Sequence, residues 1–167
     1  MDHTIRVYSL CMKIGADLEA NLKVLGAAAL LHDIGRTREE ETAVSHSILS
    51  GEMGRGVLSE NGFTDSEIDH VVGVIGTHRF SEGLEPNSLE GEILSDVDKL
   101  DAMGAIGVFR AIAQAASTGA GIEGFLEHAD EKLLKLRDSM YTERARIEAE
   151  HRHRTLEAFV NQLKSEL

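Results

Sequence analysis

One cysteine, Cys11, and one proline, Pro86, stand in 167 residues. A lone cysteine excludes an intrachain disulfide and fits a reducing compartment, so a cytoplasmic location is expected. No apolar run approaches the roughly 20 residues of a membrane-spanning helix, and no signal-peptide pattern opens the chain. β-branched alternating runs are scarce, which argues against a sheet. Positive charge is also short: Lys and Arg total 17 against 29 Asp and Glu, a net charge of −12. That balance disfavours a broad nucleic-acid surface or an anionic membrane as partner. A small anionic substrate stays open, because a bound cation reverses the local field.

What is present points to helices. Hydrophobic residues make up 42% of the chain, and Ala, Leu, Glu and Ile dominate. The expectation is an all-α fold in a single domain, with a core over 1–116 and C-terminal helices over 123–167 packed on it. Sixteen glycines are many for such a fold. Gly104 and Gly107 fall inside apolar helical patterns and suggest close helix contact, within the chain or against a second copy, so a homo-oligomer is left open.

The stretch Leu30-Leu31-His32-Asp33-Ile34-Gly35 organises the rest. The apolar run Val24–Leu31 predicts a buried helix over 18–34, with Gly35 as a left-handed stop. His32 and Asp33 then fall in its last turn, where a carboxylate faces the negative end of the helix dipole and loses water. A nearby cation would offset both costs. A lone His-Asp pair is as readily a hydrogen-bonded helix cap, so the other candidates decide.

In chain order, 2–16 reads as a helix with His3 in its first turn. Residues 36–41 read as a charged connection, either a solvated loop or a substrate-facing lid. A helix over 42–61 carries His46 near its start and ends at Asn61-Gly62. Thr64 and Glu67 form a capping box for a helix that ends at His78. His70 and His78 are eight residues apart, turned about 80° from one another. A loop over 79–87 leads to a long apolar helix over 89–116, bent at its glycines. It carries Asp96, Asp98 and Asp101, of which Asp96 is expected to face solvent and at least one other to point inward. Two further helices, over 125–136 and 142–167, close the chain. The run His151-Arg152-His153-Arg154 reads as a solvated helix face.

Taken together the candidate ligands are His3, His32, Asp33, His46, His78 and Asp98. Imidazoles and carboxylates without thiolates suit Mn, Fe, Co, Ni, Mg or Zn rather than a structural thiolate zinc site. This set resembles the HD superfamily of metal-dependent phosphohydrolases, whose pattern His … His-Asp … Asp matches His3, His32-Asp33 and Asp98. The stretches 89–94, 98–107 and 131–136 are similar to a bacterial and archaeal subgroup of HD hydrolases. The resemblance implies an HD-type helical bundle with a divalent metal held between helices by His3, His32, Asp33 and Asp98. It further implies that His46 and His78 serve a second metal bridged by Asp33. Only Met1 and Asp2 precede His3, fewer residues than in that subgroup, which raises the expectation of a late or trimmed start and of a His3 held mainly by the metal.

The activity implied is hydrolysis of a phosphate ester, of a nucleotide or another small phosphorylated metabolite, by metal-activated water. Asp33 and Lys99 are the catalytic candidates, with Lys99 expected to pair with a carboxylate or the phosphate. Arg36 and Arg79 sit just beyond two helix ends as phosphate clamps, and His70 is a weaker substrate contact. Two alternatives stand beside this: a non-catalytic metal- and nucleotide-binding regulatory module, and a di-iron oxidative enzyme on the same fold.

Overall fold

The computed structural model describes residues 2–79 and 83–167. Met1, and residues 80–82 of the expected 79–87 loop, lie outside the described residues. Every regular element among the described residues is helical, so the fold is all-α. The chain forms two compact units, 1–97 and 98–167.

In the first unit, α1 (Asp2–Asp17) packs on α2 (Leu22–Leu31), and α2 packs on α5 (Asp65–Gly76) and α4 (His46–Glu60). The short α3 (Arg36–Thr42) lies against α4. Val7, Cys11 and Ile14 of α1, Val24, Leu25, Ala28 and Ala29 of α2, and Val71, Val74 and Ile75 of α5 are buried at the helical spacing their apolar pattern dictates. Two caps fix the entries. Asn21 accepts from the Val24 N–H, and its own N–H donates to Glu90 Oε1 at 2.7 Å. Thr64 and Glu67 close the expected capping box on α5.

Three expectations in this unit are corrected. The second helix begins at Leu22 and ends at Leu31, not at 18 and 34, and Gly35 is not left-handed, with φ −84°. Gly35 is small for another reason. A Cβ there would lie 2.7 Å from Leu49 Cβ and 2.8 Å from the Ser50 nitrogen, and the Gly35 N–H donates to Ser50 Oγ at 2.9 Å. Glycine is the residue that lets the chain meet α4 at this corner. Beyond it, residues 36–42 are a helix rather than a loop, ended by Ala43 at φ +56°. α4 therefore starts at His46, four residues later than expected, behind the Ser45 cap.

α6 (Leu89–Asp101) carries the chain from one unit to the next. The expected helix over 89–116 is two helices, because Gly104 takes φ +65° and α7 (Gly104–Ser117) starts afresh. Carbonyls at the end of α6 meet arginines: Arg152 donates to the Leu100 oxygen at 2.7 Å, beside the Met103 N–H, and Arg110 to the Asp101 oxygen at 3.2 Å. A Cβ on Gly107 would fall 2.2 Å from the Ala102 oxygen, so that glycine fits the tight break and not a helix crossing. In the second unit α7 packs on α8 (Gly121–Glu131) and on α9 (Glu143–Ser165), with a 3-10 turn over Leu133–Ser139 against both α8 and α9.

Two polar expectations also change. Asp96 is fully buried rather than solvent-facing, while Asp101, buried and paired with Arg110, is the inward, paired aspartate that was expected. His153 is buried as well, so the 151–154 run is not a wholly solvated face.

Candidate metal centre

His32 and Asp33 follow the last residue of α2, as the first two positions of a turn. At that end the final carbonyls of the helix have no intrahelical partner. His32 uses one: its Nδ1 lies 2.9 Å from the Ala29 oxygen. A carbonyl only accepts, so Nδ1 carries the proton and Nε2 presents its lone pair. His78, just past the end of α5, repeats the arrangement, with Nδ1 2.6 Å from the Ile75 oxygen. His46 stands at the opposite kind of terminus, the first residue of α4. Its Nδ1 lies 2.8 Å from Glu39 Oε2, on α3.

All three rings are buried, His32 completely and the others to within 1%. The bound Nδ1 atoms aim each Nε2 inward. The target is Asp33. Its Oδ2 lies 3.6 Å from His32 Nε2 and 3.6 Å from His3 Nε2, while its Oδ1 lies 3.4 Å from His46 Nε2 and 4.0 Å from His78 Nε2. His3 Nε2 and His32 Nε2 are 3.3 Å apart. One carboxylate thus turns one oxygen to each of two histidine pairs. Donor atoms of Asp33, His46 and His78 lie within 4.8 Å of one another, a spacing that can hold an ion.

The donor set fits a divalent metal. His46 Nε2 is buried and has no hydrogen-bond partner among the described residues, an expensive state for a polar atom unless something electrophilic faces it. Nitrogen and oxygen donors without thiolates suit the first-row divalent ions and Mg.

The flanking charges are equally specific. Arg36 Nε lies 2.6 Å from Asp33 Oδ2 and its side chain is 55% exposed. Glu39 takes the His46 ring on one oxygen and Arg79 on the other, at 2.5 Å. The hydrogen bond from His46, then that from Arg79, holds the Glu39 carboxyl down to about 2 from an ordinary 4.5, so it is a carboxylate at neutral pH.

Of the candidate residues read from the sequence, His3, His32, Asp33, His46, His78 and Arg36 come together here, and Arg79 joins through Glu39. His70 does not: its Nε2 lies 3.2 Å from Glu90 Oε2, the residue that also caps the start of α2. From the middle of α5 it meets the carboxylate that joins the starts of α2 and α6. Asp98 is half-buried on α6 at the opening of the second unit. Lys99 is buried there, donating to the Ser139 oxygen at 2.7 Å and lying 4.4 Å from the Tyr141 ring centre. Those contacts fasten the end of the 3-10 turn to α6. Glu39 escaped sequence reasoning because 36–41 read as a connection; only a helix there turns its carboxylate to His46.

No helix among the described residues is long and apolar enough to cross a membrane. The family model of the HD domain matches residues 1–103. YpgQ of Bacillus subtilis is 35% identical over 99% of this chain and 82% of its own length. The crystal structure of YpgQ in complex with ADP superposes with a TM-score of 0.81 at 31% identity, covering 99% of this chain and 85% of that one. An HD-superfamily hydrolase from Bacillus thuringiensis gives a TM-score of 0.79 at 31% identity, over 98% and 84% of the two chains. The His-Asp corner around which this first unit is built falls inside the matched span, and the chain belongs to the HD domain family, with the fold of its hydrolases.

Proposed function

We propose that this chain is a metal-dependent phosphohydrolase acting on a phosphate ester of a nucleotide or another small phosphorylated metabolite. The observation that carries the reading is Asp33, with one oxygen toward His3 and His32 and the other toward His46 and His78. His3, His32 and Asp33 would hold one divalent ion, and Asp33, His46 and His78 a second; the family pattern adds Asp98 to the ligand set on sequence grounds. When bound, such an ion supplies Lewis-acid polarisation of a phosphoryl oxygen and a water acidic enough to attack at neutral pH.

The chain's own residues do the rest. The buried rings of His32 and His78 donate from Nδ1 to carbonyls and that of His46 to Glu39, which keeps each Nε2 available. Asp33 places an anion among the four histidines. The exposed part of Arg36 presents a planar guanidinium suited to a phosphate. Arg79, steered by Glu39, offers another beside it. The nucleotide class is supported by the ADP complex of YpgQ.

The test is to strip the protein, reload it with Mn, Fe, Co, Ni, Mg or Zn, and assay aryl phosphates and nucleoside mono-, di- and triphosphates. Metal-dependent phosphate or pyrophosphate release that disappears in His32→Ala and Asp33→Ala is expected. Nucleotide binding at saturating metal with no turnover on any substrate would overturn the enzyme reading in favour of a regulatory module.

A further inference from the structure

Helix polarity sets a problem at this site. His32 and His78 sit at C-terminal helix ends, where unpartnered carbonyls can take a ring N–H. His46 sits at the N-terminal end of α4, where the free backbone groups are donors. A ring there finds no backbone acceptor in its own first turn. Left alone, its proton could rest on either nitrogen, and a proton on Nε2 would make that atom useless as a donor to a cation.

We propose that Glu39 is the positioning residue that solves this, fixing His46 as an Nε2 ligand while its other oxygen anchors Arg79. The inference rests on the metal reading above. The geometry is complete within the first unit: Oε2 to His46 Nδ1 at 2.8 Å, Oε1 to the Arg79 guanidinium, and His46 Nε2 buried 3.4 Å from Asp33 Oδ1. A carboxylate has no proton to give at neutral pH, so His46 Nδ1 must donate. The positive end of α4 favours the anion beside it. Because the two oxygens serve different partners, Glu39 also links the orientation of a metal ligand to that of a phosphate-facing arginine. α3 is the adaptor that carries this link, since only a helix over 36–42 brings residue 39 round to both.

The test has two readouts, neither of them turnover. In the metal-free protein, long-range 1H–15N NMR of the imidazoles should show His46 as the Nδ1–H tautomer, and Glu39→Ala should give a mixture or the Nε2–H form. In Mn(II) titrations, Glu39→Ala should weaken the ion assigned to Asp33, His46 and His78 by about 10- to 100-fold and leave the other unchanged. Glu39→Gln retains an acceptor oxygen and should lose less. His78→Ala serves as the marker that identifies the affected ion. An unchanged tautomer and unchanged Mn(II) affinity in Glu39→Ala would overturn the inference. So would equal weakening of both ions with a lower melting temperature of the metal-free variant, which marks a merely structural role. If His78→Ala leaves Mn(II) uptake of the wild-type pattern intact, the metal reading itself fails, and this inference with it.

Discussion

Asp33 Oδ1 lies 3.4 Å from His46 Nε2 while its Oδ2 lies 3.6 Å from His32 Nε2, so a single side chain faces two buried imidazoles with different atoms. Asp33→Asn keeps the shape and removes the charge from both sides. Phosphoester turnover should fall about 1000-fold, three tenfold steps of about 1.4 kcal/mol each. Metal analysis should show both ions weakened. His78→Ala should cost one ion only, and equal losses in the two variants would contradict the shared-carboxylate geometry.

Because the candidate ligands come from α1, the end of α2, α4 and the end of α5, metal should brace the first unit. At a concentration 100 times its dissociation constant an ion adds about 2.7 kcal/mol, an upward shift of about 5–10 °C in melting temperature. Differential scanning calorimetry with and without EDTA reads this directly. No shift with any divalent ion would count against a site that spans these elements.

Gly35→Ala should destabilise by about 1–3 kcal/mol, because its Cβ would press on Leu49 and the Ser50 backbone in a packed corner. The backbone itself, at φ −84°, would accept alanine. Gly73, exposed in the middle of α5 with open space around it, is the control. Gly73→Ala should stabilise by about 0.5–1 kcal/mol. Urea midpoints for the pair separate packing from backbone freedom.

Glu67 lies 2.7 Å from the Lys23 ammonium and accepts the Thr64 N–H. The lysine first, then that N–H, holds its carboxyl below the ordinary 4.5. The folded state therefore prefers the ionised form. Its contribution is fully present above the ordinary value and is lost as pH falls through the lowered one. Glu67→Gln should accordingly melt below the wild type at neutral pH, and the gap should close on acidification. A gap that is constant with pH would mean that shape, not charge, is at stake.

Apolar spacing made most of the helices legible, together with the Thr64 capping box and the His-Asp corner, because these depend on short-range pattern. What escaped depends on partners distant in sequence. The helix over 36–42 has no buried residue, so no hydrophobic period announces it. Asp96 and His153 look solvent-facing by composition and are buried by tertiary packing. The break at Gly104 was readable as a bend but not as a full stop, because a left-handed residue and its arginine-capped carbonyls are needed to end α6 there. Lys99 gained weight from its neighbour Asp98, whereas its ammonium answers to Ser139 and Tyr141.

The carbonyls of Ala29 and Ile75 each accept the Nδ1–H of an imidazole. Main-chain acceptors survive almost any replacement at their own positions, so the aim of His32 and His78 is insulated from sequence drift in the residues behind them. His46 has no such insurance, and its alignment can be lost through one codon, that of Glu39. Of the two histidine pairs facing Asp33, the one containing His46 therefore depends on a side chain for its alignment, and the one containing His32 on the main chain.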